Sequence, residues 1–137
     1  MPTVAPKLAA EVSEAYLRFF QVRADALLQL DSSSLGQVAA GDALIGLQKQ
    51  IEQDRAAGRA IRVDVVHNFS VISASNDEAQ VADDYRDSSV YVDPVSRELL
   101  AGEVVPESPQ DAPDVKVVYQ FRRISGVWKV TAGQKYE

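Results

Sequence analysis

The sequence predicts an α+β domain, in which three N-terminal helices pack on one face of a curved antiparallel sheet of about four strands. Up to Gly58, apolar side chains recur at spacings of three and four residues, the period of an amphipathic helix. From Ile61 onward, apolar and polar residues alternate, which is typical of half-buried strands. Helices and strands are therefore segregated along the chain, and hairpins join most of the strands.

Each predicted helix is bounded by residues that favour helix ends. The first covers 7–30, where an apolar stripe runs along one side. The acidic and serine residues of 31–34 interrupt it and supply N-caps for a short second helix, which ends at about residue 40. A third helix is predicted over 43–57, and Gly58 ends it.

The predicted strands cover 61–71, 79–92, 115–124 and 127–135. In the second strand the apolar residues change face part-way along, so we place a β-bulge between Asp83 and Ser89. Proline and acidic residues are concentrated over 103–114, which predicts an exposed loop before the third strand. The serine and glycine at 125–126 predict a two-residue hairpin turn before the last strand.

Composition and charge exclude several classes of protein. The 137 residues form one ordinary domain, in which we assign 7–137 to the fold and 1–6 to a disordered tail or linker remnant. The net charge of -6 disfavours binding to nucleic acid. No apolar stretch reaches the roughly 18 residues of a membrane span. The chain has no cysteine, which removes disulfides and thiolate metal sites, and its one histidine removes two-histidine zinc motifs.

Short catalytic and binding motifs are absent from the sequence. The glycines form neither a P-loop nor a dinucleotide-binding fingerprint, and the serines form no nucleophile elbow. Asp83, Asp84 and Asp87 do not have the spacing of a calcium-binding loop, so we interpret them first as an acidic strand edge. We therefore predict no metal site and no cofactor.

The order of elements, together with residues 126–130 (GVWKV) in the last hairpin, resembles the NTF2-like superfamily, also called the cystatin-like cone. The resemblance covers nearly the whole chain, and the helix-to-sheet order carries most of it. It implies a cone-shaped concavity between the sheet and the first helix. Members of the superfamily often form dimers through the outer face of the sheet, and the apolar positions predicted to face outward here are Val90, Val92, Val118 and Ile124.

A narrower resemblance is to small NTF2-like domains of bacterial exported proteins and lipoproteins. It lies in 41–44 (GDAL), 54–59 (DRAAGR) and 87–94 (DSSVYVDP). Those relatives carry a glycine after the last segment, where this chain has Ser96 and Arg97, and they often carry cysteines that this chain lacks. Residues 1–6 have no signal-peptide pattern. Two alternatives remain: an exported protein shortened to its domain behind an added Met1, which the resemblance favours, or a cytoplasmic protein.

The resemblance also implies candidate site residues. In ketosteroid isomerase-like and SnoaL-like enzymes, the cone holds an acid/base pair and a tyrosine donor, and burial tunes the pKa of the acid. The matching residue types give a candidate pocket made of Tyr16, Phe20, His67, Asp83, Tyr85 and Asp87. For each polar member there is an alternative. His67 and Tyr16 are then core residues, and the aspartates face solvent or pair with Arg62, Arg122 or Arg123.

Three functions follow from these residues and this resemblance, and no catalytic residue is assigned. The favoured one is a non-catalytic module of an exported bacterial protein, which binds a small molecule in the cone or a protein on the sheet. The alternative is a small acid/base enzyme that uses His67 with Asp83 or Asp87 and takes Tyr16 as donor. The third is an assembly domain with a filled cone.

Overall fold

The computed structural model describes residues 4–136 and has two α-helices and seven strands there. The elements are α1 (Pro6–Gln29), a 3₁₀ turn (Leu35–Gln37), α2 (Gly41–Ala57), β1 (Ala60–Arg62), β2 (Val65–Val66), β3 (Phe69–Ala74), β4 (Glu78–Asp87), β5 (Val90–Val92), a second 3₁₀ turn (Pro109–Asp111), β6 (Asp114–Ile124) and β7 (Val127–Lys135). The predicted α+β class with an antiparallel sheet is confirmed, but the numbers of helices and strands were wrong. Neither α-helix combines the length and hydropathy of a membrane-crossing segment, a finding that covers the described residues.

The predicted second helix is only a 3₁₀ turn over Leu35–Gln37. The backbone that follows this turn is hydrogen-bonded to β7. The Val130 N–H donates to Val38 O and the Ala40 N–H donates to Val130 O, each at 2.9 Å. This contact ties residues 38–40 to β7 as a parallel bridge. Nucleating a helix is unfavourable, and a helix as short as the predicted one would form few hydrogen bonds in return. Pairing of these residues with β7 is therefore favoured over the helix.

The glycines and Asp54 in the two segments around α2 have structural roles. Gly41 has φ 58° at the start of α2, and Gly58 has φ 68° as its left-handed cap. Asp54 is fully buried and accepts hydrogen bonds from Gln50 Nε2 and Arg59 Nε, each at 3.0 Å. These two segments, which resemble those of exported domains, are thus explained here by helix capping and by an ion pair to the buried Asp54.

The two long predicted strands are each interrupted. β1, β2 and β3 replace the first, and β4 and β5 replace the second. The interruptions face each other: the Asp64 N–H donates to Ser89 Oγ at 3.0 Å, and the Ser88 N–H donates to Asp64 O at 2.8 Å. The predicted bulge between Asp83 and Ser89 is therefore a strand break, and β4 alternates regularly up to it.

Pairing divides the strands into two sheets. In the larger, five-stranded sheet the order is β2–β4–β6–β7, with β3 also paired to β4, while β1 and β5 form a separate ladder. All strand pairs are antiparallel. Bulges lie between Val71 and Ser73 and between Gln120 and Phe121, and such bulges increase the curvature of a sheet. The larger sheet therefore curves around α1.

The main core lies between α1 and the concave face of the larger sheet. Its buried members are Val12, Tyr16, Phe19, Phe20, Val38, Ala39, Ala79, Val81, Phe121, Trp128 and Val130. A smaller cluster joins Ala60, Val90 and Val92, packed against Leu28 and Leu30 of the α1 terminus. The outward orientation predicted for Val90 and Val92 was therefore wrong, because β5 belongs to the smaller sheet and covers the end of α1.

The turn after β5 places Arg97 at φ 66°, close to where the exported domains have a glycine. Asp93 Oδ1 accepts the N–H groups of Val95 and Ser96, and the Arg97 guanidinium donates to Leu28 O. We expect Arg97→Gly to be more stable than Arg97→Ala by about 1 kcal/mol, because both lose the guanidinium contact and only glycine takes positive φ without steric cost. Urea denaturation measures the difference, and equal stabilities would contradict it.

Candidate functional site

Asp83 is the central residue of the predicted pocket. It lies on the concave face of β4 between Val81 and Tyr85, and only 1% of its surface is exposed. Its Oδ2 accepts a hydrogen bond from the Tyr16 hydroxyl at 2.5 Å and lies 2.6 Å from His67 Nδ1. Its Oδ1 accepts the Asn68 N–H at 2.9 Å. Both carboxylate oxygens are therefore bound to groups of this chain.

Tyr16 reaches Asp83 from α1 and is fully buried. Its ring packs among the aromatic side chains of the sheet and of the next helical turn, with centroid separations of 4.9 Å to Phe69, 5.1 Å to Phe20 and 5.5 Å to Tyr119. Edge-on and tilted contacts at these separations are favourable for aromatic rings. Tyr16 therefore joins helix and sheet through both its ring and its hydroxyl.

His67 occupies the two-residue gap between β2 and β3. Its ring centroid lies 4.4 Å from that of Phe20, and 18% of its side chain is exposed. The Asn68 carbonyl accepts the Asp84 N–H at 3.0 Å, which holds this gap against β4. Since Nδ1 is engaged by Asp83, Nε2 is the ring nitrogen left at the partly exposed edge.

Hydrogen bonding dominates the electrostatics of Asp83. Burial alone would raise its pKa, but the hydrogen bonds from His67, Tyr16 and the Asn68 N–H outweigh burial and hold the pKa of this carboxyl below its usual range. Burial, and then the hydrogen bond to Asp83, raise the pKa of Tyr16 far above that of a free phenol. At neutral pH the arrangement is thus a carboxylate that accepts from a phenol and from an imidazole edge.

The remaining predicted residues divide into two groups. Phe20 and Tyr85 join the cluster, because the Tyr85 ring centroid lies 6.0 Å from those of Phe20 and His67. Asp87 does not join it through a hydrogen bond; its Oδ1 accepts the Ser89 N–H at 2.9 Å and closes the turn after β4. Five of the six predicted residues thus form one aromatic and carboxylate cluster. The alternative for the aspartates was exposure to solvent or pairing with Arg62, Arg122 or Arg123. Asp83 is buried instead, and within the described residues none of these arginines forms an ion pair with Asp83 or Asp87; Arg122 pairs with Glu78 and Arg123 with Glu11.

An open cavity of about 400 Å³ adjoins this cluster, between α1, α2 and the strands β6 and β7. It is lined by Phe19, Arg23, Asp42, Ala43, Gly46, Leu47, Tyr119, Val130, Ala132 and Gly133. The Tyr119 ring lines the cavity and also contacts Tyr16 and Phe20 on its other side, so the Asp83 cluster lies behind it. Gly133 makes room for that ring, because a Cβ there would stand 2.8 Å from Tyr119 Cε1.

Arg23 and Tyr119 were not predicted as site residues, although both carried a signal in the sequence. Tyr119 falls on the same face of its strand as Val117 and Phe121, which were predicted to face inward. Arg23 follows Phe19 and Phe20 at helical spacings of four and three, and therefore shares their face of α1. The Asn68 N–H that binds Asp83 had no such signal, because every residue type except proline supplies a backbone donor.

Within residues 4–136, no group of three histidine, aspartate or glutamate side chains comes together as a metal-binding cluster. The donors that meet at Asp83 are a phenol, an imidazole and a backbone amide. This set stabilises one negative charge through hydrogen bonds.

No family model matches the chain, and no curated protein matches it. Among solved structures, an NTF2-like protein from Cytophaga hutchinsonii superposes with a TM-score of 0.56 at 15% identity, over 90% of this chain and 95% of its own. This chain has the NTF2-like fold.

Two other solved structures superpose on this NTF2-like domain over nearly their whole length. The intermembrane space region of chloroplast protein ARC6 has a TM-score of 0.71 at 17% identity and covers 98% of both chains. Aln2 from a Streptomyces species has a TM-score of 0.60 at 13% identity, over 99% of this chain and 94% of its own. Identities this low establish the shared fold.

Proposed function

We propose that this NTF2-like domain is a non-catalytic binding module that holds a small, largely apolar molecule in the cavity between its helices and β6 and β7. The observation that carries the proposal is the placement of Asp83. The carboxylate and the phenol expected in an acid/base site are bound to each other behind Tyr119, while the adjoining cavity is open. The domain therefore offers a space for a ligand without presenting these two groups to it.

The chemistry of Asp83 supports a structural role for it. A general base must reach the proton it removes within hydrogen-bond distance, and its pKa should lie near the working pH. Asp83 is buried, its pKa is held below the usual range, and both its oxygens already accept hydrogen bonds. Tyr16 is likewise unable to donate to a ligand, because its one proton is shared with Asp83.

The size and lining of the cavity suit a small organic ligand. A volume of about 400 Å³ falls in the range of small-molecule sites, which are mostly apolar with a few polar groups. Leu47 and Tyr119 supply half-buried apolar surface here, and Phe19 and Val130 lie buried behind it. Burying a ligand against such walls contributes roughly 25 cal/mol for each Å² of apolar surface removed from water.

Gly46 allows this proposal to be tested from the cavity itself. It lies in α2, it lines the cavity, and a Cβ built on it meets nothing within 4 Å. We expect Gly46→Phe to weaken binding of the neutral fluorescent probe N-phenyl-1-naphthylamine at least about tenfold, because the ring occupies the cavity. Gly46→Ala is the matched control, which should keep the affinity and gain roughly 1 kcal/mol of stability from helix propensity.

Fluorescence titration measures the affinities, and thermal unfolding shows whether both variants fold. The proposal fails if folded wild-type protein does not bind the probe, or if Gly46→Phe binds it as tightly as Gly46→Ala does. Native mass spectrometry of the purified protein, followed by denaturing analysis of any released molecule, identifies the natural ligand.

His67 favours a second candidate function, a small acid/base enzyme. A buried carboxylate that holds one ring nitrogen of a histidine also orients the other, which is how catalytic histidines are positioned. Here Asp83 holds Nδ1 and leaves Nε2 at a partly exposed edge. Chemical conversion of a ligand by the wild type but not by His67→Gln would support the enzyme over the binding module.

Two further parts of the proposal concern context. The extracytoplasmic location predicted from the resemblance is carried forward as a proposal, and fractionation of the native cells tests it.

Homodimer formation through the outer sheet face is also carried forward as a proposal. Ile124 is 37% exposed there and Val118 is half-buried, although Val90 and Val92 no longer contribute. Sedimentation analysis of the purified domain measures its oligomeric state.

A further inference from the structure

We propose that the ligand of the cavity carries an anionic group, such as a carboxylate or sulfonate, and that Arg23 binds that group. This inference rests on the proposed function and names the chemical class of its ligand. Arg23 is the cationic side chain in the cavity lining. The rest of the ligand would lie against the apolar walls.

The surroundings of Arg23 leave its hydrogen-bond donors available. Its guanidinium carbon stands 5.4 Å from the centroid of the Phe20 ring, and the side chain is half-buried. In the described part of the chain, no carboxylate lies within 4 Å of it as an ion pair. A guanidinium has five N–H donors in a planar fork that matches the two oxygens of a carboxylate, and partial burial without a partner costs free energy. An anionic ligand group supplies that partner.

One other feature of the same region adds hydrogen-bond donors. The first turn of α2 also borders the cavity through Asp42 and Ala43, and its N-cap, Ala40, has no side-chain acceptor for the free N–H groups. These donors and the positive end of the helix favour an anion over a neutral group.

Three carboxylates oppose an anion at this position. Asp42 lines the same cavity, and Asp83 and Asp87 both lie near enough to Tyr85 to act on it electrostatically. The proposal therefore requires that Arg23 outweigh Asp42 at short range. It follows that Asp42→Asn should strengthen binding of an anionic ligand, the opposite of the effect of removing Arg23.

A matched pair of probes tests the inference. N-phenyl-1-naphthylamine is neutral, and 1-anilinonaphthalene-8-sulfonate has the same ring system with one sulfonate. We expect the wild type to bind the sulfonate more tightly. Arg23→Gln should weaken the sulfonate about tenfold, the loss of one charge-assisted interaction, and should leave the neutral probe within about twofold. Arg18→Gln is the matched control, since Arg18 lies on α1 and is absent from that lining.

Each remaining outcome is decisive. If Arg23→Gln weakens both probes equally, Arg23 only shapes the cavity and the inference is wrong. An equal loss for Arg18→Gln would mean that general surface charge attracts the sulfonate, which also overturns it. In both cases the proposed function stands if Gly46→Phe still blocks the neutral probe. Failure of the neutral probe to bind overturns the proposed function instead.

Discussion

Replacing Asp83 with alanine is expected to lower the free energy of unfolding by about 3 to 5 kcal/mol, because it breaks a buried, charge-assisted hydrogen-bond network. The substitution removes the acceptor for Tyr16, His67 and the Asn68 N–H together. Water reaches this place poorly, since Tyr16 is fully buried and Asp83 is only 1% exposed. Urea denaturation followed by circular dichroism measures the loss.

Asp84 provides a matched control for this prediction. It is the next residue of β4, faces the other side of the sheet and is half-buried. Asp84→Ala should change stability by no more than about 0.5 kcal/mol, as is usual for substitutions away from a buried network. Tyr16→Phe keeps the ring and removes one bond to the carboxylate, so it should fall between the two. A loss for Asp83→Ala no larger than that for Asp84→Ala would contradict the network.

The same network predicts how stability depends on pH. The folded-state pKa of Asp83 is lowered, so its contribution is present above the unfolded pKa of about 3.9 and is lost as the pH falls through the folded value. Burial raises the pKa values of Tyr16, Tyr85 and Tyr119, so their contributions are complete below about pH 10 and are lost as the pH rises further. Stability should therefore decrease below about pH 4 and above about pH 10.

The decrease in the free energy of unfolding with pH can be measured as a slope on the alkaline side. Each tyrosine that keeps its proton only in the folded state lowers the free energy of unfolding by about 1.4 kcal/mol per pH unit above pH 10. Tyr16→Phe removes one such group and should reduce the alkaline slope by that amount. Asp83→Asn should reduce the loss of stability on the acidic side. Urea denaturation at a series of pH values measures both. An unchanged alkaline slope in Tyr16→Phe would show that Tyr16 does not contribute.

Periodicity located most of the fold because the longest elements each have one clear apolar face. The first helix and the last two strands were predicted within one residue of their observed bounds. The strand breaks escaped prediction because they depend on contacts between distant residues, such as Asp64 with Ser89. The 3₁₀ turn at Leu35 escaped for a similar reason: pairing of Ala39 with Val130 removes the backbone groups that a helix would need.

The cluster around Asp83 was predictable in most of its members, whereas the adjoining cavity, which none of the six predicted residues lines, was not. The alternating pattern placed Asp83 and Tyr85 on one face and brought His67 to the same side of the sheet, as observed. Alternation alone also placed Asp87 there, but the strand ends at that residue and its carboxylate turns to the Ser89 N–H. The sequence pattern does not indicate on which side of the Tyr119 ring the Asp83 carboxylate lies, because this depends on how α1 packs against the sheet.

The edges of the larger sheet bear on how this domain behaves in a crowded solution. An open strand edge offers unpaired N–H and C=O groups to any neighbouring chain, and natural sheets tend to cover or distort it. Here residues 38–40 pair with Val130 along the outer side of β7, and β3 is short and bulged between Val71 and Ser73. Both features make these edges poorer templates for a further strand. The segment that follows the 3₁₀ turn thus covers part of the β7 edge, which reduces the tendency of that edge to pair with another molecule.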